Sequence, residues 1–184
     1  TTLNPTSAPY NQFSLGLKKA VDQTYCSLLK NEIPIEDSIA GFHGDGSIFK
    51  MIKVVRNLIK RHNFDVVHIH SGVTGMILLI AAFPFKISIF KKTVFTLHNS
   101  WNVIKFRNQI LNFVVMLVAR KICTCGQSSR ESIPKVINFF IAKKTIAIVN
   151  GFDNERIDKI KNNKDATKHF SDTSLVKILC VGAL

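Results

Sequence analysis

A chain of 184 residues, 46% hydrophobic and carrying a formal net charge of +13, has the length of one ordinary domain with residues to spare, and its apolar share excludes a disordered polyelectrolyte. The richest apolar runs, residues 76–85 and 110–119, are too short to span a bilayer. Four cysteines (Cys26, Cys123, Cys125 and Cys180) are too few for a stapled secreted fold and lack zinc-site spacing, so a reducing cytoplasm suits them.

In chain order, residues 1–10 read as the end of a strand and a loop, with Pro5 and Pro9 forbidding regular structure. Residues 11–30 are predicted helical, with Leu15, Leu17, Val21, Leu28 and Leu29 on the apolar side. Pro34, Gly41, Gly44 and Gly46 bracket a short strand near residues 38–42. Residues 46–63 give the clearest amphipathic helix: Ile48, Ile52, Val55 and Ile59 line one face, and Lys50, Lys53, Lys60 and Arg61 lie largely opposite. That basic face suits either an anionic membrane surface or plain solvent over a sheet.

The run FDVVHIH, residues 64–70, reads as a central buried strand that delivers polar residues to a functional edge. A helix over 75–83 follows, then the strand KTVFTL (92–97), a helix over 103–120 and a short strand over 122–125. After a helix over 131–142, with Pro134 in its first turn, comes the strand TIAIV (145–149). Residues 153–172 are polar and suit a surface helix or linker, and VKILCVGAL closes the chain as a further strand. This alternation predicts an α/β fold, a Rossmann-like doubly wound parallel sheet with right-handed crossovers.

In such sheets ligands sit at the carboxyl ends of the strands. Those ends carry His70-Ser71-Gly72, His98-Asn99-Ser100, Gly126-Gln127-Ser128-Ser129 and Asn150-Gly151. His98, one residue past a buried strand, is placed to act as a general base or to hydrogen-bond a phosphate or hydroxyl; the plainer reading is a histidine capping a turn. His68 and His70 share a strand face, but no third ligand stands at a telling distance for zinc, and His68 reads as packed. Neither G-x-G-x-x-G nor a P-loop is present. For the charge of +13, candidate partners are anionic lipid, nucleic acid or phosphorylated small molecules. Without interleaved aromatics or a basic-region motif, nucleic acid is not expected.

At these residues the chain resembles the amino-terminal half of family 4 glycosyltransferases, retaining enzymes of the two-domain GT-B fold. FDVVHIHSG is similar to their D-V-V-H-x-H strand and TVFTLHNSW to the T-x-H strand end. ARKICTCGQSSRESI is similar to A-D-x-I-I-x-V-S-E-x-x-R, with Gly126 and Gln127 standing for the serine and the acid. AIVNGFD resembles the I-x-N-G-V-D that closes the first domain, and VKILCVGAL the first strand of the second.

The resemblance implies transfer of a sugar from a nucleotide-sugar donor to a glycan or lipid-linked acceptor, with retention and no obligatory metal or other cofactor, in cell-surface polysaccharide synthesis. It implies a Rossmann-like acceptor-side domain over 1–152, a linker over 153–175 and the first strand of a donor-binding domain over 176–184. The chain is then expected to be cut at both ends and inactive alone. It assigns His98 to the donor sugar and phosphates. His70, Ser71, Gly72, Asn99, Gly126, Gln127, Ser128, Asn150 and Gly151 are the expected substrate-binding set. The expected location is cytoplasmic, peripheral at the membrane through Lys50, Lys53, Lys60 and Arg61. The alternative is a non-catalytic basic module that docks on anionic membrane or a partner subunit.

Overall fold

Two short strands open the fold in this computed structural model, which describes residues 23–28 and 39–149. β1 (Gln23–Ser27) and β2 (Ile39–His43) pair in parallel, from Gln23 opposite Ile39 to Ser27 opposite His43. β2 falls where the sequence predicts a strand. β1 corrects the later part of the helix expected over residues 11–30, because Gln23–Ser27 is extended; residues 11–22 and 29–30 lie outside the described residues. Thr24, Tyr25 and Cys26 favour a pleated backbone, and pairing with β2 outweighs a weak helical periodicity. The expectations for residues 1–10 and 153–184, including the linker and the closing strand, lie outside the described residues, which all belong to one compact unit ending at Val149.

The turn after β2 passes through Asp45 and Gly46 at φ of 49° and 79°, and Gly46 N–H donates to Leu28 O at 2.7 Å. Ser47 then caps helix α1 (Ile48–Arg61), its hydroxyl accepting from Lys50 N–H at 3.3 Å. Met51, Leu58 and Ile59 are the buried stripe, and Lys60 and Arg61 complement the dipole in the last turn.

Next come β3 (Val67–Ile69), α2 (Gly72–Ala82), β4 (Thr93–Leu97), α3 (Phe106–Val118), β5 (Lys121–Thr124), α4 (Gln127–Glu131), α5 (Lys135–Ile141) and β6 (Thr145–Ala147). β3 to β6 form one four-stranded sheet in sequence order, every pair parallel. This is the Rossmann-like α/β half that the alternation predicts, with shifted boundaries. α2 starts at Gly72 rather than Gly75, because Ser71 caps it by accepting from Thr74 N–H at 3.2 Å. The helix expected over 131–142 shortens to α5 at Lys135–Ile141, and a separate helix, α4 at Gln127–Glu131, precedes it. Pro134 disfavours a helical Ile133 and stands at the N-cap of α5 rather than in its first turn.

One core joins sheet and helices. Ile69, Phe95, Leu97 and Ile122 pack against Leu78, Ala81 and Ala82 of α2, Val115 and Met116 of α3, and Ile141 of α5. Three cations brace main-chain carbonyls from afar. Arg56 donates to Ile80 O and Ala81 O, Lys92 to Phe64 O at 2.9 Å, and Lys144 to Leu117 O and Ala119 O at 2.7 and 2.9 Å.

α2 and α3 approach closely at two glycines. A Cβ on Gly75 would lie 2.4 Å from Val115 Cγ2, and one on Gly72 would lie 2.5 Å from Asn112 Oδ1 and 2.9 Å from Asn112 N. Val115 is β-branched and stiff, so it cannot swing aside. Gly75→Ala is therefore expected to cost about 1–3 kcal/mol in a denaturant titration, despite alanine's better helix propensity. An unchanged midpoint would mean that the two helices separate freely.

Candidate active site at the strand ends

Parallel register lays the polar strand ends side by side. Side chains alternate along a strand: Ile69, Phe95, Leu97, Ile122 and Thr124 turn to the helix-packed core, and the intervening positions face the other way. On β3 and β4, His68 Nε2 lies 2.7 Å from Thr96 Oγ1, and His70 Nδ1 lies 3.0 Å from His98 Nε2. Each partner sits two residues beyond the one directly opposite, since His68 is in register with Val94. On β4 and β5, Thr96 is in register with Cys123, and two residues on Cys125 Sγ lies 3.5 Å from His98 Nδ1. The outcome is a row, His70–His98–Cys125, across three strand ends, with His68, Thr96 and Cys123 as a second row behind it.

The His70 and His98 rings are stacked as well as bonded. His68 and His70 have ring centroids 4.1 Å apart, and His70 and His98 are 5.2 Å apart with planes at 20°. Burial lowers the His68 pKa to about 4, helped by repulsion from His98. Burial, then His68, then His98 lower that of His70 to about 3. Burial also lowers the pKa of His98 and, with Cys125 adding to it, raises that of Cys123. At neutral pH the row is therefore uncharged imidazole, a set of hydrogen-bonding groups and weak bases rather than cations.

The loop that carries His98 is pinned from behind. Trp101 is buried, and its N–H donates to Ser132 Oγ at 2.7 Å, while Ser132 Oγ donates to Ser129 O at 2.8 Å. Gln109 Nε2 donates to Trp101 O and Ile104 O at 3.1 and 3.0 Å. His98 is thus held by α3 and by the α4–α5 junction, not by its own strand alone.

The structure brings some of the sequence candidates together and gives others different work. His70 and His98 touch. Ser71 spends its hydroxyl on the α2 cap, and Gly72 is buried against α3. Asn99 and Ser128 are exposed on the rim. Gly126 has an extended backbone with nothing within 4 Å of its Cβ position, which leaves the rim open there. Gln127 donates to Glu131 at 2.8 Å within α4. Asn150 and Gly151 lie outside the described residues. Sequence reading missed Cys125, Thr96 and Ser132 as neighbours or supports of His98. The signal for Cys125 was its place one residue past β5, like that of His98 past β4. Among the described residues, no group of three His, Cys, Asp or Glu side chains is arranged to hold a metal ion.

A search among curated proteins finds no match. The family model of Glycosyltransferase Family 4 matches residues 27–156, from the end of β1 to beyond β6 and through every strand end of the site. With more than half of its length inside that match, and with a parallel sheet that gathers polar side chains at its carboxyl edge, the chain belongs to glycosyltransferase family 4.

Proposed function

We propose that this chain is the acceptor-side part of a retaining transferase that moves a sugar from a nucleotide-sugar donor to a glycan or lipid-linked acceptor. The setting is cell-surface polysaccharide synthesis. The observation that carries the site is the neutral His70–His98–Cys125 row at the strand ends. His98 is the catalytic residue. Its uncharged ring offers one N–H and one lone pair, which suits a sugar hydroxyl or a phosphate oxygen. Both ring nitrogens already have partners, so an approaching ligand oxygen replaces the longer of the two contacts, the sulfur at Nδ1. His70 stays on Nε2 and fixes the ring plane. Neither a metal nor another cofactor is invoked.

Turnover on this reading requires a donor-binding domain beside the acceptor-side one. The basic face of α1 supports a peripheral position on anionic membrane, where a lipid-linked acceptor would be found. In the full-length enzyme, His98→Ala is expected to cut sugar transfer at least tenfold while the far-ultraviolet dichroism is unchanged, in line with loss of a positioned hydrogen-bonding group. Unchanged turnover would remove His98 from the reaction.

A further inference from the structure

Exposed apolar side chains gather beside the basic helix. On α1, Phe49, Lys53, Arg56 and Lys60 follow i, i+4, i+7 and i+11 spacing and share one stripe. Phe49, at the start of that stripe, is 80% exposed. Near its other end, the loop after α2 presents Phe83, Phe85 and Ile87, which are 64%, 67% and 53% exposed, with Lys86 among them.

Arg56 fuses loop and helix into one surface. Its Nε donates to Ala81 O at 3.2 Å and its Nη2 to Ile80 O at 3.0 Å, just ahead of the loop. Its guanidinium carbon lies 5.9 Å from the Phe85 ring centroid, and Lys60 Nζ lies 5.1 Å from it. Lys50, which is ion-paired with Asp45, and Arg61 stand about a quarter turn off this stripe.

The charge along this segment is nearly all of one sign. Residues 45–130 contain thirteen lysines and arginines against two acids, Asp45, which pairs with Lys50, and Asp65. Aromatic side chains left in water between cations are costly on a solvated surface, and this pairing matches a bilayer interface: phosphate outside, acyl chain within. Among the described residues, no helix is long and apolar enough to cross a membrane.

We propose that loop 83–87 inserts Phe83, Phe85 and Ile87 into the interface of an anionic bilayer, while Lys53, Lys60 and Lys86 hold lipid phosphates. This deepens the peripheral-membrane reading above, on which it rests, by adding an apolar anchor to an electrostatic attraction. Sedimentation of the full chain with vesicles tests both parts, using phosphatidylcholine alone or with about a third phosphatidylglycerol. The wild type is expected to bind only the anionic vesicles. F83S/F85S is expected to lower partitioning about tenfold at every salt concentration, with the salt slope kept; K53Q/K60Q is expected to flatten the slope.

F85W supplies a direct readout, because Trp101 is the only native tryptophan and is 4% exposed. Brominated acyl chains should quench the new emission. Unchanged partitioning of F83S/F85S, or bound F85W without quenching, overturns insertion and leaves electrostatic docking standing. Failure of the wild type to bind anionic vesicles removes both.

Discussion

Acidification from about pH 7 to about pH 5 is expected to remove about 4 kcal/mol of folding stability through His68 and His70 alone. Their folded pKa values, about 4 and about 3, lie below the unfolded value near 6.5. The unfolded chain therefore takes up protons first. Stability is full above about pH 6.5 and falls as the pH drops toward 4 and then 3, at close to 1.4 kcal/mol per pH unit for each ring. His98, lowered by burial, acts in the same direction. Against a usual domain stability of about 5–15 kcal/mol, this is a large share. Urea titrations across that window measure it, and His70→Asn should flatten the profile by about one proton. A profile flat from neutrality to about pH 5 would show that the rings are not buried as neutral imidazoles.

Phe95→Ala is expected to destabilise the fold by about 3–5 kcal/mol. Phe95 is 1% exposed, belongs to the shared core and lies on β4, which is flanked by β3 and β5. Truncation opens a cavity among side chains held by two sheet neighbours and the helices above them, so collapse into the gap is limited. Phe95→Leu should cost only about 1 kcal/mol, because most of the volume remains. The urea midpoint separates the two. A loss below about 1 kcal/mol for the alanine variant would show a core that closes around the hole. Phe95 stands three residues before His98, so the same cavity loosens the strand end that carries the site.

Much of this architecture was legible in the chain because strand chemistry is local. KTVFTL and TIAIV are β-branched runs stopped by polar residues, and they sit in the sheet within a residue or two of their predicted bounds at the start. Boundaries failed where a cap or a proline decided them, as at Ser71 and Pro134. β1 failed because its strand state depends on pairing with β2, a partner twelve residues on from its end. The strand ends that make the site could be named, but not which side chains touch. His70 meets His98 through a two-residue offset between β3 and β4, and no single-strand pattern encodes an offset. Cys125 drew attention only as a metal ligand, while its contact is with an imidazole. Gly72 looked like a ligand-facing glycine because it follows a strand end; its lack of a side chain serves the packing of α2 on α3.

The cations that brace carbonyls change how this fold should come apart. Arg56, Lys92 and Lys144 hold peptide oxygens where other proteins would place carboxylates. A carboxylate is discharged by acid; a peptide carbonyl is not. Those braces keep their charge and their acceptors through the range in which the imidazole row takes up protons. Among the described residues, acid therefore acts at the edge of the sheet that bears His70 and His98 before it reaches the struts between helices.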